Sequence, residues 1–449
     1  MSIPWLREAV GSGLIAVIRK MDERVLIRNV KVVTPGMEPV IRDVLMEAGR
    51  WGFPESTPAE CRVIDGTGKI LMPGLYDLHS HLREPGREDC ESIATGVEAA
   101  LAGGFTGLTA MPDTSPAVDN GGMIHSLREI AARTARFPIQ VAGCITRSRL
   151  GLELAEIGEM HSRGAVMITD DPDPVVNPQV LRRALQYSRS LGVLVATTCD
   201  VRELSAQGAM HDGAVSYRLG LPGLHPCAEE IGLARDIRIA QSCGSRIHIR
   251  GISTASSVET IRRYKNEGVA VTVEVFPHHL LFTDASVGEY DTHYKVKPPL
   301  RPESDRQALI AALRDGVIDA LATDHTPHTW FEKTRDFGSA PFGMTALATS
   351  LSALHHHLIL PELLSWEVLI ERFSTAPRRL LGLEVPEIAD GSAVNAILFD
   401  PAASVTFSPE RLRSRACNSP FLGQTLRGEV VWVALGDQIL VDHLPPQSV

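Results

Sequence analysis

No apolar stretch near the start of this chain approaches the roughly 20 residues a bilayer-spanning helix needs; the run Leu14 to Ile18 is far too short. Glu8, with no small-residue cleavage pattern after it, argues against a secretory signal, so residues 1–23 are expected to be a short helical or frayed extension. There is no CxxC pair. The seven cysteines (Cys61, Cys90, Cys144, Cys199, Cys227, Cys243 and Cys417) are scattered and odd in number. That suggests neither a disulfide framework nor a zinc knuckle and suits a reducing cytoplasm. Positive charge is not in excess either: the net charge of -10 disfavours nucleic acid or an acidic membrane as partner, since both require a basic face. Low-complexity tracts are missing, and 44% hydrophobic with 22% charged residues is ordinary for a globular enzyme. What remains is a chain of 449 residues, too long for a minimal domain and well suited to one large barrel with a small appendage.

The pattern along the chain supports that division. From Arg24 to Ile64 short apolar strands such as Val25-Leu26-Ile27 alternate with turn residues such as Pro35-Gly36. From Leu75 onward apolar strands alternate with helix-length amphipathic segments, the signature of repeated β-α units. Strands are predicted at 75–81, 105–111, 138–144, 164–169, 192–198, 245–251, 269–275 and 318–324, with helices at 92–102, 119–134, 178–190, 227–241, 254–266 and 304–314. Eight such strands close most naturally into a (β/α)8 TIM-like barrel. The strand pattern returns in Ala396-Ile397-Leu398-Phe399 and Val430-Val431-Trp432-Val433. Residues 24–72 and 388–449 are therefore expected to form one small β-sandwich domain, with the barrel of residues 73–387 between its halves, because either part alone would leave an apolar face uncovered.

Barrel enzymes carry their chemistry at the carboxyl ends of the strands. The first predicted strand ends in Asp77-Leu78-His79-Ser80-His81, and side chains two apart on a strand share a face, so His79 and His81 would both aim into the barrel mouth. A lone HxH is more often two solvated or core histidines than a ligand pair. Here the fourth strand also ends in Thr169-Asp170-Asp171 and the eighth in Ala322-Thr323-Asp324-His325, so three strand ends converge. Two imidazoles with carboxylates form a donor set that zinc accepts, and such an ion brings the pKa of water to about 7.

Several longer motifs occur in order: Asp77-Leu78-His79-Ser80-His81-Leu82-Arg83-Glu84-Pro85-Gly86, Met111-Pro112-Asp113-Thr114, Pro277-His278-His279-Leu280, Pro298-Pro299-Leu300-Arg301, Ala322-Thr323-Asp324-His325-Thr326-Pro327-His328 and Ala340-Pro341-Phe342-Gly343. Through them the chain, from about residue 24 to its end, resembles the type I dihydroorotases of the amidohydrolase superfamily. The resemblance implies a metal site of His79, His81, Asp171 and Asp324, with Asp324 also carrying the proton. It implies Arg83, Asp113 and His328 as contacts of a substrate carboxylate, and Phe342 and Gly343 beside the substrate ring.

The departures are specific. Where the family places two histidines for a second ion, this chain has Thr198 and Gly251, leaving one zinc ion expected. Cys199 and Arg250 are expected to face away from the lumen, His248 to be structural, and Thr198→His with Gly251→His to raise metal stoichiometry toward two. Asp113 replaces a family asparagine, and an ionised carboxyl ~4 Å from a substrate carboxylate would cost about 4 kcal/mol at an effective dielectric of 20. Protonation of Asp113, pairing with Arg83, a different ligand, or compensation by Lys297 in Lys297-Pro298-Pro299 would each relieve that cost.

Two functions of different class follow. One is a cytoplasmic cyclic amidohydrolase, a homo-oligomer that interconverts dihydroorotate and N-carbamoyl-aspartate in pyrimidine biosynthesis. The other is a catalytically inactive relative kept as a structural subunit for aspartate carbamoyltransferase, suggested by the departures at Thr198, Gly251 and Asp113. A hydantoinase or allantoinase relative is the weaker third reading, because those enzymes bridge their metals with a carboxylated lysine where this chain has Asp171.

Overall fold

The computed structural model describes residues 19–20, 24–58, 60–205 and 207–444. The extension expected over 1–23 lies outside them except for Arg19–Lys20, which is extended rather than helical and pairs antiparallel with Gln438 and Ile439.

Eight parallel strands form the barrel: β1 (Leu75–Ser80), β2 (Phe105–Ala110), β3 (Ile139–Gly143), β4 (Ala165–Ile168), β5 (Leu194–Thr198), β6 (Ile247–Arg250), β7 (Val271–Val275) and β8 (Ala320–Leu321). Neighbours in sequence are neighbours in the sheet. The ring closes from β8 to β1, where the His81 amide donates to the His325 carbonyl at 2.9 Å and Asp77 accepts from the Thr323 amide and hydroxyl, both at 2.7 Å. β8 is shorter than its predicted span because Thr323 is held by Asp77 and Asp324 adopts a φ of 50°, taking the chain off the ladder. The intervening helices begin at caps the sequence supplies. Ser92, Asn120, Asn177 and Thr254 each accept a first-turn amide of Ile93–Ala102, Gly121–Thr134, Pro178–Leu191 and Ala255–Asn266, an interaction worth about 1 kcal/mol apiece.

Inside the barrel, Met111, Ala142, Met167, Leu194 and Ala196 make one apolar layer, and Tyr76, Leu78, Phe276, Ala320 and Ala322 make another. The helix Ala376–Leu381 closes the amino end: Arg378 donates to the Gly74 carbonyl at 2.8 Å and to the Thr106 hydroxyl at 3.0 Å, while Leu381 packs on both layers. With that end plugged, the polar side chains collect at the carboxyl end.

The two chain ends meet, as expected, in one small β domain, a nine-stranded mixed sheet with an apolar core of its own. Asn395–Thr406 lies between Ile70–Pro73 and Thr425–Leu435. Both faces are apolar, which explains the unbroken apolar runs. Leu71, Ala396, Leu398 and Trp432 enter the sheet's own core, whereas Met72, Ile397, Phe399 and Val433 join the barrel core.

Candidate active site at the barrel mouth

Asp77 anchors the end of β1. It also receives the Ser80 hydroxyl, and its bonds to Thr323 fix β1 against the segment carrying Asp324. The geometry then brings four side chains to one point. His79 Nε2 lies 2.9 Å from Asp171 Oδ1 and 3.5 Å from Asp324 Oδ1; His81 Nε2 lies 3.4 Å and 3.6 Å from the same two oxygens. His79, His81 and Asp171 are buried with donor atoms close enough to share one cation. Asp324 and Arg83, with φ of 50° and 61°, hold left-handed backbone that costs of order 1 kcal/mol or more for a residue with a side chain, a strain that concentrates at functional sites.

Each imidazole is braced from behind by a carboxylate. His79 Nδ1 is 2.9 Å from Glu274 Oε1, and Glu274 Oε2 meets His248 Nε2 at 3.1 Å. His81 Nδ1 makes an ion-pair contact of 2.8 Å with Asp113 Oδ1, whose other oxygen accepts from Arg83 at 2.6 Å. A carboxylate on Nδ1 leaves Nε2 as the free lone pair and fixes the ring, the arrangement that metal-ligating histidines use. The donor set therefore fits a divalent cation. Its electrostatics agree: burial and Arg250 oppose a charge on His79, yet Asp171 and Glu274 outweigh them and push the ring up to about 10, the mark of a pocket short of positive charge. Burial alone would raise Asp171 and Asp113. The cations beside them, His79 and Arg250 for the first and His81 and Arg83 for the second, instead hold both well below the usual carboxylate range.

Of the alternatives for Asp113, the structure has the pairing with Arg83, joined by His81. Compensation by Lys297 is overturned, since Lys297 Nζ pairs with Asp200 at 2.8 Å. Thr198 points inward and donates to Asp171 Oδ2 at 2.8 Å. Arg250, expected to face outward, stands inside the lumen beside Thr198 in register, with Nε 3.8 Å from Asp171 Oδ2 and 3.5 Å from Glu274 Oε1. Cys199 does face outward, into the barrel core. Gly251 has a φ of 58°, and a Cβ there would come 2.5 Å from the Phe276 ring, so a histidine does not fit that position as built. His248 has both nitrogens engaged, by Thr272 and Glu274, as a structural residue would.

Toward the rim, His328 Nε2 donates to the Phe342 carbonyl at 2.7 Å, and burial, reinforced by Arg83, pushes its pKa down to about 3. Arg83 also reaches the Pro327 carbonyl at 3.3 Å. Gly343 is obligatory, since its φ is 127° and any Cβ would strike Thr326. Glu274 and Arg250 were missed from sequence. An acid between Val273 and Val275, and an arginine alternating with Ile247 and Ile249, were the available signals, because a charge on a strand buried on both faces needs a partner.

The family model described as Dihydro-orotase-like matches residues 68–257. A dihydroorotase of Pelotomaculum thermopropionicum is 44% identical over 372 residues, covering 82% of this chain and 86% of that protein. One from Citrifermentans bemidjiense is 39% identical over 423 residues, covering 92% and 99%. The chain belongs to the dihydroorotase family. Among solved structures, a dihydropyrimidinase from Brevibacillus agri (TM-score 0.81, 23% identity, 94% of this chain and 95% of that one) shares the fold. So does an L-hydantoinase from Arthrobacter aurescens (TM-score 0.82, 22% identity, 94% and 97%). As a member of the dihydroorotase family the chain is a cyclic amidohydrolase with a metal-binding site in an amidohydrolase barrel. Among the described residues no helix is long and apolar enough to cross a membrane.

Proposed function

We propose that this chain interconverts dihydroorotate and N-carbamoyl-aspartate in the cytoplasm, as a step of pyrimidine biosynthesis, with one zinc ion held by His79, His81, Asp171 and Asp324. The convergence of these four side chains from β1 and the ends of β4 and β8 carries the reading. The relatives that match over most of their length bear the name of the enzyme and lend no support to the inactive-subunit alternative. Association with itself or with aspartate carbamoyltransferase is a further part of the proposal, as are the domain limits of 24–72 with 388–449 and of 73–387.

A divalent ion at this site supplies Lewis-acid polarisation of an acyl oxygen and a lowered pKa for water. The chain supplies the rest. Asp324 stands at the mouth with Oδ1 near both imidazoles and accepts from the Thr326 hydroxyl at 3.2 Å, placed to take a proton in ring opening and return it in closure. Arg83 and His328 face the rim where the substrate carboxylate would lie, Arg83 as the charge and His328 as a neutral ring oriented by the Phe342 carbonyl. The Asp113 charge is spent on Arg83 and His81, so the repulsion of a substrate carboxylate is offset rather than absent. Gly343 keeps the Phe342 segment tight against Thr326.

The test is zinc content together with dihydroorotate turnover of the purified chain. About one ion and measurable turnover are expected, and Asp324→Asn should lower kcat by about 10²–10⁴-fold. A chain with less than one ion and no turnover refutes the proposal.

A further inference from the structure

Asp171 presents its two oxygens to different surroundings. Oδ1 faces His79 and His81; Oδ2 faces the Thr198 hydroxyl at 2.8 Å and Arg250 Nε at 3.8 Å. Arg250 is among the largest fully buried side chains of the molecule. Its Nη1 rests on the Met111 sulfur at 2.8 Å, while Nε and Nη2 are buried without a hydrogen-bond partner. A buried guanidinium within ion-pair reach of two carboxylates, Asp171 and Glu274, yet hydrogen-bonded to neither, acts there as a fixed charge.

We propose that Arg250 is a built-in second cation: its guanidinium stands on the Asp171 oxygen turned away from His79 and His81 and limits the centre to one divalent ion. This rests on the metal reading above and adds to it the reason for the ion count. The charges support it. Four carboxylates, Asp113, Asp171, Glu274 and Asp324, gather around the imidazoles, and the two guanidiniums of Arg83 and Arg250 with one divalent ion balance them. A second divalent ion would leave the pocket with an excess of two positive charges and would meet Arg250 at close range. The ligand supply agrees, since Thr198 donates to Asp171, the Gly251 position is blocked by Phe276, and His248 has both nitrogens engaged.

The test counts zinc in four proteins stripped with chelator and reloaded: wild type, Thr198→His, Thr198→His with Arg250→Met, and Thr198→His with Arg250→Lys. A histidine at 198 puts a ligand beside Asp171 Oδ2, so the second ion should enter only when the charge at 250 is gone. The expected counts are about one, one, two and one. Two ions in wild type or in Thr198→His alone would overturn the proposal, and so would one ion in Thr198→His with Arg250→Met. A wild type holding none overturns the metal reading itself and this inference with it, which is told apart because the other two failures still bind zinc. Should the methionine variant not fold by circular dichroism, a wild-type crystal at saturating zinc decides by anomalous scattering. One ion with Arg250 still against Asp171 sustains the proposal; two ions, or Arg250 displaced, refutes it.

Discussion

The two sides of Asp171 use one carboxylate for opposite ends. On the Oδ1 side, two imidazoles, His79 and His81, are each braced by an acid so that a cation can come and go. On the Oδ2 side, a hydroxyl and a covalently attached cation leave nothing to exchange. The difference shows that losing ligand histidines at 198 and 251 need not unmake a metal centre, provided that the charge they would have served is met in another way.

The largest expected effect attacks the closed side. Gly251→Ala forces a Cβ against the Phe276 ring and demands left-handed backbone, and together these should cost roughly 2–4 kcal/mol of stability, measured by urea unfolding. A tolerated alanine would mean that side is open. Next, Glu274 touches both sides, bracing His79 and facing Arg250. Glu274→Gln should weaken zinc binding by about 10–100-fold in a chelator competition, and an unchanged affinity would separate the two sides energetically.

The contrast extends to other histidines. His79, set among acids, is pushed up, whereas burial pushes His279 down to about 4 and His328 to about 3. For the latter two the unfolded chain, titrating near 6.5, binds protons that the folded chain refuses. Their stability is full above pH 6.5 and is lost as the pH falls toward 4. Thermal melts between pH 7 and pH 5 should show a decline of which His279 supplies about 1–2 kcal/mol, and His279→Gln should remove that part while the His328 part stays. The smallest effect is at the rim: Asp113→Asn releases Arg83 and should lower KM for dihydroorotate by about 3–10-fold, the equivalent of about 1 kcal/mol. A raised KM would mean that Asp113 positions Arg83 more than it neutralises it.

Much of this was legible in the sequence. The eight apolar runs and the Asp77-to-His81 segment each announce local geometry, because strand alternation depends on near neighbours. The position of Arg250 was not legible by counting from Gly251. The strand ends at Arg250 and Gly251 turns left-handed, so counting back from the glycine shifts the alternation by one residue. Counting from Ile247 and Ile249, which enter the barrel core, gives the right face. Arg83 was legible as a partner of Asp113, whereas His81 for Asp113 and Asp200 for Lys297 were not, because those pairs meet across segments far apart in the chain and no local rule sets their distances.

The sheet shared by the chain ends bears on how the molecule is made. Ile70–Pro73 finds its antiparallel neighbour only in Asn395–Thr406, more than 300 residues later. During synthesis the flank formed by Met72 stays uncovered until residues 395–406 have emerged, so the seat of the barrel is finished after the barrel strands, by the same strands that close the sheet.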